Sequence, residues 1–196
     1  MAVGVHERLG EASNVLLLGT MLDDDTKELH NDLLSREGTD GRNVLALTFQ
    51  SPSGWLQTWT ADPATHDGDV VIMTFSETRS SSRSLPAGVS AITISPTDLT
   101  GIGITLSDYL SDFDDSDGGT LVCFDSVTEL LQYTDPKSLF RFLRVVTRRI
   151  EHVDGFAHFH LDPSAHDDRI VATLRSPFDA IVEAGADSDV AVSTRY

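Results

Sequence analysis

Short apolar runs alternate along this chain with stretches whose apolar positions recur every three to four residues. The runs near 14–18, 43–49, 69–75, 90–95, 120–125 and 155–161 read as strands. Between them lie helical patterns. A short leading helix is predicted over 4–12. The next, near 25–36, has Leu29, Leu33 and Leu34 as its apolar stripe. Ser51-Pro52 begins a short helix that carries Trp55 and Trp59 on one face. A helix over about 98–112 is capped by Asp98 or Thr97. A short one follows over 126–133, a longer one runs from Pro136 to about 151, and a last one spans 166–175. Runs near 178–184 and 189–195 predict a C-terminal hairpin at the sheet edge. The Ser- and Arg-rich segment 76–88 predicts a mobile loop. Alternating strand and helix patterns predict an α/β fold with a mostly parallel sheet between helices.

The 196 residues suit one domain, and 40% apolar content is enough for a core. Charge then narrows the picture. The formal net charge is -17, Lys27 and Lys137 are the only lysines, and most acids are aspartate. That composition resembles proteins of salt-in halophilic archaea, where molar salt screens self-repulsion. It argues against nonspecific nucleic-acid binding, which needs a basic footprint. Cys123 stands alone and mid-strand, so it reads as a buried small hydrophobe. Met1 to Ala12 is too polar for a signal segment, and no apolar run approaches membrane-spanning length, so a cytoplasmic protein is expected.

Two strands carry the candidate chemistry. Asn14-Val-Leu-Leu-Leu-Gly19 is an apolar strand running into a glycine. Thr120-Leu-Val-Cys-Phe-Asp125-Ser126 is one ending in an aspartate ahead of a helix. The pair, with the order of the other segments, resembles the KaiC branch of the RecA superfamily, over roughly residues 14–185. Phe178-Asp-Ala-Ile-Val-Glu183 resembles the closing segment of KaiC-like domains. The resemblance implies a single three-layer RecA/KaiC-like domain, with a phosphate loop after the first strand and a Mg²⁺-linked carboxylate at Asp125. It places Gly19, Thr26 and Asp125 at the nucleotide, with Asp125 the catalytic-site carboxylate of a Mg-ATP enzyme.

The chain departs from the family at that loop. Thr20-Met-Leu-Asp-Asp-Asp-Thr26 has no second glycine. Aligned on Gly19, Asp25 stands at the lysine position and Lys27 falls one residue late. Asp23, Asp24 and Asp25 would face an anion, and one such like-charge pair at about 4 Å costs on the order of 4 kcal/mol. Where KaiC-like ATPases carry a catalytic glutamate, after the second strand, this chain has Phe49-Gln50-Ser51-Pro52. Gln50 can orient water but is no base. No bound cofactor is therefore expected. Asp125 either holds hydrated Mg²⁺ or caps the helix beginning at Ser126 or Val127, with Glu129 four residues on.

Two further groups stand out. His158 and His160, two apart on a strand, share a face, and His166 follows a Pro-containing turn with Asp167 and Asp168. Together the three histidines could hold a transition metal with an open position. Otherwise the strand histidines pack under a helix, and Asp167-Asp168 caps the next one. The helix from Pro136 sets Leu139, Phe142, Leu143, Val146 and Ile150 against Arg141, Arg144 and Arg148. Phe140 and Val145 flank that Arg face, which suits a protein partner or self-association.

The reading that follows is a non-catalytic regulatory or signalling module acting by protein–protein contact. A divergent ATPase using Asp125, a metal-dependent enzyme around His158, His160 and His166, and a small-ligand sensor at the strand ends are the alternatives.

Overall fold

The computed structural model describes residues 5–35, 41–59, 66–78, 85–115, 119–184 and 190–195. In chain order the strands are β1 (Asn14–Leu18), β2 (Asn43–Thr48), β3 (Val70–Phe75), β4 (Val89–Ile94), β5 (Thr120–Asp125), β6 (Phe156–Leu161), β7 (Ala180–Ala184) and β8 (Val190–Thr194). They form one sheet in the order β4-β3-β2-β5-β6-β1-β7-β8. Every pairing is parallel except β7 with β8, which is antiparallel and forms the edge predicted for the C-terminal strands. Strands β1, β2, β3, β5 and β6 are buried at every position, as both faces of a parallel sheet require.

Helices cover the two faces unequally. One carries α4 (Leu99–Asp114), α5 (Val127–Leu130), α6 (Pro136–His152) and α7 (Asp168–Arg175), packed on Leu16, Leu18, Leu45, Leu47, Phe124 and Phe159. The other carries α1 (Val5–Leu9), α2 (Asp24–Leu34) and α3 (Pro52–Thr58), packed on Val15, Leu17, Val44, Ala46 and Ile72. Strands β5 and β6 lie between β2 and β1, so the chain order reverses at the middle of the sheet. In open α/β sheets, ligands bind at the carboxyl ends of strands beside such a reversal.

Local chemistry explains the boundaries. The Asp98 side chain caps α4, accepting from the Gly101 amide at 2.8 Å. The Asp135 side chain caps α6, accepting from the amides of Lys137 and Ser138, and Pro136 fills the first turn. One expectation needs correction. Residue 166 does not open the last helix: Pro163–Ala165 makes a 3-10 turn, His166 ends it, and Asp167 caps α7 from outside. Trp55 and Trp59, predicted on one face of α3, are both buried, their ring centroids 5.6 Å apart. In the predicted mobile loop, residues 79–84 lie outside the described residues. Among the described residues no helix is long and apolar enough to cross a membrane.

Candidate functional site at the strand ends

Strands β5 and β6 run side by side with Cys123 opposite His158. Because strand side chains alternate, the next residues on the same face are Asp125 and His160. This face lies under α2 and α3. The result is a two-rung polar ladder within an otherwise apolar layer, and all four residues are buried.

At the upper rung, Asp125 Oδ1 lies 3.5 Å from His160 Nδ1, and Asp125 Oδ2 accepts from Gln50 Nε2 at 3.2 Å. The other ring nitrogen of His160, Nε2, lies 2.8 Å from the Gly19 carbonyl, the geometry of a donated hydrogen bond. His160 thus ties the carboxylate of β5 to the chain leaving β1. Burial pushes the Asp125 carboxyl up. The His160 contact, the nearby His30 and His160 charges and the Gln50 bond outweigh it and hold the group below its ordinary value. Asp125 is therefore an ionised, internally coordinated carboxylate. It does not cap the next helix, because Ser126 does, accepting from the Glu129 amide at 3.2 Å. The Asp125–Ser126 peptide is cis. Glu129 looks back at the same site: desolvation raises its pKa, and the Asp125 charge adds to the rise.

At the lower rung, His158 Nε2 lies 3.3 Å from Nδ1 of His30, which reaches in from α2, with the rings edge-on at 85°. Burial lowers the pKa of both imidazoles, well below the ordinary value for His158. Burial also pushes the Cys123 thiol well up, with the Asp125 charge adding to that and Trp55 opposing it. His30 escapes a motif search because its own position is a helical one: Thr26, Leu29, His30, Leu33 and Leu34 are the buried stripe of α2. A polar residue on that stripe was the available signal.

The loop from Gly19 to α2 is tied back on itself at Thr20 and Thr26, while the Asp23 side chain makes no cap hydrogen bond to the first turn of α2. A β-carbon at Gly19 would overlap Thr26 Oγ1 and sit 2.9 Å from Thr26 Cγ2, so the first turn of α2 packs directly on the strand end. The Gly19 amide donates to the Leu161 carbonyl, the Asp23 amide to the Thr20 carbonyl and the Leu22 amide to Thr20 Oγ1. Lys27 pairs with Asp24 at 2.8 Å on the exposed side of the helix. Thr26 Oγ1 is buried with no hydrogen-bond partner.

Of the sequence-predicted residues, Gly19, Thr26 and Asp125 come to one end of the sheet, linked through His160. His158, His160 and His166 do not form one ligand set. Among the described residues, the histidine, cysteine and carboxylate groups close enough to share an ion are His30, Cys123 and His158. His166 stands after the 3-10 turn, where partial burial lowers its pKa against the opposing pull of Asp162. Arg141, Arg144 and Arg148 are exposed along α6, as is Val145 at 61%. Phe140 is half-buried against the core, with the Arg144 guanidinium 5.8 Å from its ring centre. A cleft of about 440 Å³, lined by Asn43, Asp69, Val89, Tyr109 and Asp112 among others, opens at the opposite, amino-terminal ends of β2, β3 and β4.

A family model matches residues 12–184, spanning the sheet from before β1 to the end of β7. The chain belongs to the family of unknown function DUF7504. No curated protein matches it. Solved structures do, at 11–12% identity, which bears on the fold alone. The protein PH0250 of Pyrococcus horikoshii OT3 superposes with a TM-score of 0.60 over 94% of this chain and 86% of its own. The assembled ATPase EscN of the type III secretion system of enteropathogenic E. coli gives 0.61 at 12% identity over 94% of this chain. That match spans 48% of EscN. The uncharacterised protein PH0321 of Pyrococcus horikoshii, solved with an unknown peptide, gives 0.58 over 93% of this chain and 83% of its own. With EscN among these neighbours, the mostly parallel eight-stranded sheet between helix layers is a RecA-like fold.

Proposed function

We propose that this DUF7504 chain is a non-catalytic RecA/KaiC-like module of a halophilic archaeon, working in regulation or signalling through protein–protein contact. The closed loop after β1 carries the reading. A phosphate loop recognises its ligand with free backbone amides and a lysine. Here the amides of Gly19, Leu22 and Asp23 are engaged within the protein, Thr26 packs on Gly19, and Lys27 faces Asp24. The first turn of α2 adds Asp24 and Asp25 where a phosphate would need positive charge. Asp125, the carboxylate a Mg²⁺ would use, is committed to His160 and Gln50.

Calorimetry with Mg-ATP and Mg-ADP on folded protein in molar KCl tests it. The expected result is no binding heat. Micromolar binding would sink the reading and favour the runner-up, a divergent ATPase that opens the Gly19–Thr26 turn and frees Asp125. The ionised state and strand-end position of Asp125 support that second reading. In that case Asp125→Asn abolishes hydrolysis.

A further inference from the structure

We propose that His30, Cys123 and His158 form a buried three-ligand site for a transition ion that takes imidazole and thiolate, with Zn²⁺ the ion that fits. The three side chains come from α2, β5 and β6, and their ligand atoms all lie within 4.8 Å of one another. A tetrahedral zinc with Zn–N bonds of about 2.0–2.1 Å holds two nitrogens roughly 3.3 Å apart. His158 Nε2 and His30 Nδ1 are 3.3 Å apart. Cys123 sits directly across from His158 in the β5–β6 register, so its sulfur reaches the same point from the neighbouring strand.

The layer around the triad is otherwise built of Val15, Leu17, Leu29, Leu33, Ala46 and similar residues. Apolar side chains would fill this space without polar groups to satisfy. Instead it buries two imidazoles and a thiol whose ligand atoms converge on one point. Charge also balances. Binding forms two Zn–N bonds and one Zn–S bond, and the thiol proton leaves to solvent. The ion's two positive charges then meet the Cys123 thiolate and the Asp125 carboxylate one rung away. Three protein ligands leave a fourth position open on the ion.

The test uses the whole chain, treated with chelator and then titrated with Zn²⁺ or Co²⁺ in molar KCl. Metal content is read after gel filtration, and Co²⁺ absorption is read in the thiolate charge-transfer region. The expected result is one ion per chain and a charge-transfer band. Cys123→Ser, close to isosteric, loses the band and stoichiometric retention while its circular dichroism stays that of the parent. His158→Gln loses retention as well, and His166→Ala keeps it. Folded parent protein that retains no ion overturns the proposal. So does retention unchanged in Cys123→Ser, or retention lost in His166→Ala. None of these readouts involves nucleotide, so the outcome is independent of the function proposed above.

Discussion

At the scale of single residues, this molecule places its polar groups where a RecA-like sheet presents chemistry, and then closes them inward. Asp125 is buried between Gln50 and His160 with its pKa held low, and His30 and His158 are buried below it with their pKa values lowered by burial. This has a pH consequence. The unfolded histidines titrate near pH ~6.5, whereas in the fold both are held lower. Between those values the unfolded chain binds protons that the fold does not, so stability falls as pH drops below about 6.5. The Asp125 shift acts lower: its contribution is present above about 3.9 and lost as pH falls through its depressed folded value. Chemical denaturation of chelator-treated protein should show both limbs, and His158→Leu should flatten the upper one. An upper limb of unchanged slope would assign it to other groups. Asp125 and Gly19 were legible in sequence because each ends an apolar run. His30 was not, since nothing in a helical stripe announces which strand residues it will meet.

At the scale of elements, α6 shows how far local pattern reaches. Its cap, its first-turn proline and its apolar stripe are all local features, and the helix forms over Pro136–His152, against the predicted Pro136 to about 151. The outward side carries Arg141, Arg144 and Arg148 in a chain of net charge -17. If this surface recruits an acidic partner or a second copy, Arg144→Glu with Arg148→Glu reverses its charge and abolishes capture or self-association, with folding intact because both side chains are exposed. Sedimentation and pull-down in molar KCl read the outcome, and undiminished association removes α6 from the account. The segment before α7 was less legible. Its turn is short, and Asp162 and Asp167 each offer a cap, one to the 3-10 turn and one to α7. Pattern alone merged the two.

At the scale of the whole molecule, self-repulsion decides the conditions of folding. Raising salt from about 0.1 M to about 1 M shortens the Debye length from roughly 10 Å to roughly 3 Å. With 31 acids against 14 bases, the melting temperature should climb steeply with KCl over that range. A flat dependence would count against adaptation to high salt.

The alternation of apolar runs and helical stripes determined the class of fold, most element positions and the carboxylate at the end of β5, because each rests on residues near one another in the chain. The strand order, which inserts β5 and β6 between β2 and β1, was decided by tertiary structure, and with it every partner that matters here. Register set Cys123 beside His158, packing brought His30 onto them, and the direct seating of Thr26 on Gly19 closed the loop. These are contacts between residues distant in sequence, or between atoms whose fit depends on a fraction of an ångström. Local spacing carries neither.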